Sequence, residues 1–290
     1  MKRRAFFHTG ATLAAAAVAL PAGADPKETA PARETGAWVD THVYLGAHPY
    51  RTSTWADPVT LAGQLRKRGV GQAWAGSFEA LLHRDVAAVN ARLVQMCGAA
   101  ADLLMPVGCV NPTLPAWQDD LKRCAEKHGM KALRLHPNYH SYGLDDPRFG
   151  ELLTLAADHR LLVQVVAQME DQRTQPPQLQ ARPVDLKPLP ELLVRHAGVR
   201  VMVLNASALM ATTALRGCTR LWMDFAMLEG AGGVETLLQS WPPNKLCFGS
   251  HSPVFYWESA QLKLQESAIE GEALAAITRK NAAQALAVEG

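Results

Sequence analysis

From Trp38 onward the chain alternates two textures: short apolar, β-branched runs, then longer stretches whose apolar positions recur three and four residues apart. The short runs predict strands at 37–44, 70–75, 104–110, 131–136, 161–168, 199–205, 220–225 and 245–249. The longer stretches predict helices near 57–68, 83–100, 115–128, 147–159, 187–197, 207–215, 232–240 and 257–268. Asp57-Pro58 and Asp146-Pro147 each set a capping aspartate before a proline at the first helical position. Eight strand–helix units in roughly 250 residues fit an α/β fold of one (β/α)8 TIM barrel better than a doubly wound sheet. No phosphate-cradling glycine loop of the GxGxxG or GxxxxGK[ST] kind is present. One segment breaks the rhythm. Residues 171–190, DQRTQPPQLQARPVDLKPLP, are proline-rich and follow the fifth strand, which predicts a lid over the face where barrel enzymes do chemistry.

The first residues have another character. MKRRAFF is basic, ATLAAAAVALP is apolar, and Ala22-Gly23-Ala24 is a small-residue cleavage pattern. Arg3-Arg4 followed by Ala5-Phe6-Phe7 resembles a twin-arginine export signal. The reading is an exported, periplasmic protein: a signal over 1–24, a flexible linker over 25–36 and a barrel domain over 37–290. The apolar stretch is too short to cross a bilayer, and no later run of about 18 apolar residues exists, so no stable membrane anchor is expected. The 48% hydrophobic and 19% charged content supports a large core. Removing Lys2, Arg3 and Arg4 takes the formal charge from +2 to −1, leaving no basic excess to attract nucleic acid. The five cysteines, at 97, 109, 124, 218 and 247, form no CxxC pair; Cys109 and Cys247 read as buried thiols, with room for one disulfide elsewhere. Homo-oligomer formation stays open.

Strand alternation shows which side chains share a face. In WVDTHVYL, Asp40, His42 and Tyr44 lie together; in ALRLHP, Arg134 and His136 oppose Leu133 and Leu135; in LLVQVVAQME, Gln164, Val166, Gln168 and Glu170 share a parity. Asn205 and Asp224 end the sixth and seventh strands, and His251 follows the eighth. A purely structural barrel fills its axis with Val, Ile and Leu. So many polar groups on the inward face predict one cavity holding Asp40, His42, Arg134, His136, Asn205, Asp224 and His251.

The order of these segments resembles the amidohydrolase-related family. WVDTHVYLG is similar to its opening Asp-x-His-x-His strand, KALRLHPNYHSYGLDDPRFGELLTLAADHRLLVQV to its central segment, PPNKLCFGSHSP to its Phe-Gly-Ser-Asp-x-Pro element and ITRKNAAQAL to its closing helix. The likeness runs over roughly residues 37–288 and implies a (β/α)8 barrel. Relatives in that family include aminocarboxymuconate-semialdehyde decarboxylase-like enzymes and metal-dependent hydrolases. They hold a divalent metal with two first-strand histidines, histidines on strands five and six, and a strand-eight aspartate that serves as acid and base. In this chain His42 matches the first histidine, while Tyr44, Val166, Asn205 and His251 stand at the others. Valine cannot bind a metal and a catalytic zinc normally needs three protein ligands, so the usual zinc site is not expected. The candidate ligands are His42 and His251.

The same family contains 2-pyrone-4,6-dicarboxylate lactonase, which works without metal and grips carboxylates with basic residues. The resemblance therefore implies hydrolysis of a small carboxylated ester, lactone or amide. His251, Asp40, His42 and Asp224 are the catalytic candidates, with His251 as base and Asp40 or Asp224 orienting an imidazole. Arg134, His136, His140, Tyr44, Asn205 and Glu170 are the substrate-binding candidates, with Asp171 behind them; Arg134 reads equally as one half of a buried ion pair with Asp40, Asp224 or Glu170. Two alternatives stand beside this reading. One is a metal-dependent hydrolase or decarboxylase with a rearranged site, and the other is a non-catalytic protein that binds a small acid.

Overall fold

The computed structural model describes residues 37–218 and 220–287. The expected export signal (1–24) and the expected linker (25–36) lie outside the described residues. Among the described residues seven strands alternate with helices: β1 (Trp38–Leu45), α1 (Pro58–Lys67), β2 (Val70–Ser77), α2 (Val86–Gly98), β3 (Leu104–Pro106), α3 (Trp117–Lys122), β4 (Ala132–Leu135), α4 (Pro147–Asp158), β5 (Leu162–Val166), α5 (Leu189–Arg195), β6 (Arg200–Leu204), α6 (Ala208–Thr212), β7 (Trp222–Met223), α7 (Gly233–Leu238) and α8 (Trp257–Gln265). Two further helices, Gly271–Ala275 and Asn281–Leu286, flank a π turn and close the chain. The aspartate caps form as expected: Asp57 accepts from Thr60 N at 2.7 Å and Asp146 from Arg148 N at 2.9 Å. Among the described residues no helix is long and apolar enough to cross a membrane, and all five cysteines are free, so the expected room for a disulfide is not used.

All strand pairs are parallel and fall into two sheets, β1-β2-β3 and β4-β5-β6-β7. Single bridges join the sheets into a barrel. Gly108 pairs with Leu133 between β3 and β4, and the Arg134 amide donates to Gly108 O at 2.6 Å. The other seam is made by residues 246–252, where an eighth strand was expected. Cys247 N donates to Met223 O at 2.8 Å on one side, while Thr41 N donates to Phe248 O at 3.0 Å and Tyr44 N to Ser252 O at 2.8 Å on the other. This stave closes the ring without running as a regular strand. His251 has φ +57° and Pro253 lacks an N–H, so main-chain bonding to β1 is interrupted after Phe248, resumes at Ser252 and ends there.

Two apolar layers follow from the alternation. Leu133, Leu135, Val163, Val165, Val201 and Val203 pack outward against the helices. Tyr44, Trp74, Ala132, Leu162, Val166 and Met202 fill the axis. The polar faces identified from the sequence share that inner space.

Candidate active site

The strand C-terminal ends bring the expected polar residues together. Asp40, His42 and Tyr44 come from β1, Arg134 from β4 with His136 just beyond it, Asn205 and Asp224 directly follow β6 and β7, and His251 sits in the closing stave. They do not line an open cavity. Asp40, His42, Tyr44, His136, Asn205, Asp224 and His251 are each 0% exposed and Arg134 is 1% exposed. Tyr44 and Met169 pack among them: the Tyr44 hydroxyl donates to Met169 Sδ at 3.4 Å and meets His136 Nε2 at 2.9 Å.

At the centre is an unbroken hydrogen-bonded chain. Asp224 Oδ2 lies 2.7 Å from His42 Nδ1, His42 Nε2 lies 3.0 Å from His251 Nδ1, and His251 Nε2 lies 2.6 Å from the Met169 carbonyl. With both histidines neutral, its hydrogens can be placed one by one. A carbonyl only accepts, so His251 Nε2 carries a hydrogen. A neutral His251 then accepts at Nδ1, which requires the hydrogen on His42 Nε2. A neutral His42 in turn accepts at Nδ1, so Asp224 must donate and hold a proton on Oδ2. Its other oxygen accepts the Asn205 amide at 2.7 Å, as a carbonyl oxygen should. Burial acts in the same direction on every member. It pushes the Asp224 carboxyl up to about 7 and holds His42 and His251 well below the ordinary imidazole value. Gly249 permits the close approach: a Cβ there would sit 2.8 Å from Asp224 Oδ2 and 3.1 Å from His42 Cβ.

Other expected roles change. Asp40 does not orient an imidazole. Its Oδ1 accepts the backbone amides of His42 at 3.1 Å and Ser250 at 3.0 Å, tying β1 to the closing stave, and burial pushes its carboxyl up to about 6. Arg134 is neither a carboxylate grip nor half of an ion pair. Its Nε donates to Gln164 Oε1 at 2.8 Å and its terminal nitrogens donate to Val43 O at 2.7 Å, Thr41 O at 3.1 Å and Trp74 O at 2.9 Å. Its guanidinium also lies 4.8 Å from the Tyr44 ring centre, so this side chain pins the axis of the barrel. Asn205 donates to Gln168 O at 2.9 Å and leaves Oδ1 without a partner, and His140 turns to Ala80 O at 2.8 Å.

A real cavity of about 360 Å³ opens at the rim, lined by Arg51, Glu170, Thr174, Phe255 and Lys263 among others. Glu170 is ion-paired with Arg51 and accepts from Thr174 Oγ1 at 3.1 Å, so the start of the 171–190 segment lies at this mouth. The Phe255 and His251 ring centres lie 5.0 Å apart in a T-shaped arrangement, and Glu170 follows Met169, whose carbonyl caps the relay. Sequence reasoning missed Arg51, Lys263 and Phe255, which look like ordinary solvated or packing residues in their segments. Met169 gave no signal either, because its contribution is a main-chain carbonyl.

The metal implied by the family resemblance does not fit its usual place. His42 Nε2 and His251 Nδ1 face each other, but Val166 is apolar, the Tyr44 hydroxyl is engaged elsewhere, and among the described residues no third His, Cys, Asp or Glu atom completes a ligand triad with them. Two nitrogens fall short of the three protein ligands of a catalytic zinc.

A closed parallel barrel with a polar acid–base cluster at its strand C-termini defines a TIM-barrel enzyme architecture. Residues 39–288 match the amidohydrolase family (Amidohydro_2), and the chain belongs to that family. Solved structures agree on the fold. The apo IDCase of Metarhizium anisopliae is 13% identical, with 87% of this chain and 97% of that one covered at a TM-score of 0.67. The 5-carboxyvanillate decarboxylase of Novosphingobium aromaticivorans, complexed with manganese, is 10% identical over 86% and 96% at 0.66. The 4-oxalomesaconate hydratase of Rhodopseudomonas palustris is 12% identical over 86% and 95% at 0.65. At such identities the likeness establishes the fold alone. No curated protein matches the chain.

Proposed function

We propose that the protein is an acid–base hydrolase of a small carboxylated ester, lactone or amide, with Asp224, His42 and His251 as its proton store and no metal at the family position. The observation that carries this is the buried relay, which holds one transferable proton and ends on a nitrogen whose only partner is a main-chain carbonyl at 2.6 Å. A substrate carboxylate enters the rim cavity and replaces Glu170 at Arg51, with Lys263 as the second cation. Release of Glu170 frees the Met169 carbonyl from His251 Nε2. With Asp224 ionised, His42 carries its hydrogen on Nδ1 and His251 on Nδ1, so His251 Nε2 offers a lone pair to the attacking water. The proton taken there loads the chain through His42 to Asp224. The loaded chain returns it to the leaving oxygen or nitrogen, so one proton enters and one leaves in each cycle.

The loaded resting state also favours a second reading, a decarboxylase in which His251 Nε2–H protonates carbon. The two differ in sign. A hydrolase needs the unloaded relay, so its rate rises with pH through the Asp224 value of about 7; a proton donor loses rate over the same range. The experiment screens carboxylated lactones, esters, amides and carboxylated phenols against chelator-treated protein. Expected is ester or lactone turnover that rises with pH and falls on the order of 10²–10⁴-fold in His251→Asn. Carbon dioxide release with the opposite slope establishes the second reading, and binding without turnover makes the protein a non-catalytic acid binder.

A further inference from the structure

A second cluster lies beside Tyr44, whose ring centre is 6.0 Å from that of His136. Cys109, His136 and His140 are buried, and one ligand atom from each lies within 4.8 Å of the other two. Three features make it a prepared set rather than a chance meeting.

The outer nitrogens of both rings are already held. His140 Nε2 faces the Ala80 carbonyl at 2.8 Å and must donate to it, which leaves the lone pair on Nδ1. The Tyr44 hydroxyl gives its hydrogen to Met169 Sδ, so its oxygen accepts from His136 Nε2 at 2.9 Å, again leaving the lone pair on Nδ1. Metal-bound histidines are held in this way, with the outer N–H donated to a fixed acceptor. The second feature is that His140 Nδ1, in a ring only 7% exposed, has no hydrogen-bond partner at all. The third is the thiol. Cys109 Sγ lies 3.8 Å from His136 Nδ1, and zinc bond lengths of about 2.3 Å to sulfur and about 2.05 Å to nitrogen at a tetrahedral angle separate the two by about 3.6 Å.

The chain geometry fixes all three positions. Asn90 grips the Cys109 main chain on both sides, donating to its carbonyl at 2.8 Å and accepting its amide at 2.8 Å. His136 and His140 are four residues apart on one turn, with the His140 amide donating to the His136 carbonyl at 3.0 Å, so both rings rise on one face. The H-x-x-x-H spacing is the shorter of the common zinc histidine spacings.

We propose that Cys109, His136 and His140 bind a borderline-soft divalent ion of the zinc type, at a position distinct from that of the family metal. Thiolate and imidazole donors select zinc over magnesium or calcium. Without the ion, burial keeps the Cys109 thiol protonated, so binding releases its proton. The site does not rest on the acid–base reading above, since it shares no residue with the relay.

The test uses full-length protein without a polyhistidine tag. Expected is one zinc per chain by elemental analysis. Replacement by cobalt(II) gives a thiolate-to-cobalt charge-transfer band in the near ultraviolet that Cys109→Ser removes. Loss of an outer partner alone costs about 10–100-fold in metal affinity, so Cys109→Ser and His140→Gln should each cost on the order of 100-fold or more. His251→Asn should leave the zinc content unchanged. A wild-type cobalt protein with no thiolate band overturns the proposal, and that result needs no variant to fold. Metal lost in His251→Asn but kept in Cys109→Ser also overturns it, by placing the ion at the family position.

Discussion

Asp224→Asn tests the proton count of the relay directly. If Asp224 is a neutral acid in the fold, an amide is its near-isosteric replacement. The amide Nδ2–H donates to His42 Nδ1 where the carboxyl O–H did, and Oδ1 still accepts the Asn205 amide, now 2.7 Å away. The energetic consequence has a definite sign. Burial raises the folded value from 3.8 to about 7, so this group's stabilising contribution is complete below pH about 4 and is lost as pH rises through about 7. A shift of roughly 3 units at 1.36 kcal/mol each makes the loss about 4 kcal/mol for a side chain with no exposed surface. The asparagine variant has no such loss. Buried His42 and His251 work in the opposite direction, adding stability as pH rises toward 6.5, but they are common to both proteins and cancel in the difference. Urea unfolding at a series of pH values from 4 to 8 should therefore show the variant gaining on the wild type by up to about 1.4 kcal/mol per pH unit, then levelling above pH about 7. A pH-independent difference, or a variant that weakens as pH rises, would mean an ionised Asp224 paired with a His42 imidazolium and would refute the placement of the proton on Asp224. In turnover the same variant should lose on the order of 10²–10⁴-fold, because an amide cannot store and return the proton.

Arg134→Met takes the guanidinium donor from the Val43 and Trp74 carbonyls, each at about 1–3 kcal/mol, and leaves Thr41 O with Gln164 Nε2, so thermal melting should fall sharply; a variant that folds normally and only binds substrate more weakly would restore Arg134 as a carboxylate grip. Arg51→Met removes a charge-assisted contact of about 1.5–3 kcal/mol to the substrate anion, which raises KM by roughly 10–100-fold with little change in kcat; an unchanged KM would place the anion elsewhere.

Periodicity made most of the barrel legible. The predicted helices lie within a few residues of those found, and the strand faces were assigned correctly, because an apolar helix-facing side and a period of two leave little freedom. The eighth strand was misjudged because its bonding depends on the left-handed turn at His251, which an apolar run such as KLCF does not reveal. Site roles were less legible for a related reason. Arg134 was given acidic partners or a substrate because side chains are visible in a sequence, whereas its actual partners are mostly main-chain carbonyls. Asp40 and Asp224 were equivalent by parity, and only their three-dimensional reach separates a main-chain tie from a proton donor. Cys109 shares the parity of Val107, which faces the axis, so alternation carried to the end of the third run would have brought it toward His136.

The substitutions at the family's ligand positions form one electrostatic adjustment. In the arrangement implied by the resemblance, a dication balances the carboxylates buried around it. Here Tyr44, Val166 and Asn205 remove the donors that would hold such an ion. An aspartate kept at position 251 would then join Asp40 and Asp224 as a third buried acid with only the Arg134 guanidinium to offset them, and each unpaired buried ion costs several kcal/mol. Histidine at 251 removes that charge, and at this depth burial keeps it neutral. The remaining imbalance is a single proton, which the Asp224–His42 pair holds on its 2.7 Å hydrogen bond. On the proposed reading the cluster reaches neutrality with a mobile proton in place of a fixed ion. That is why acid–base chemistry, rather than Lewis-acid chemistry at the family position, is what this residue set supports.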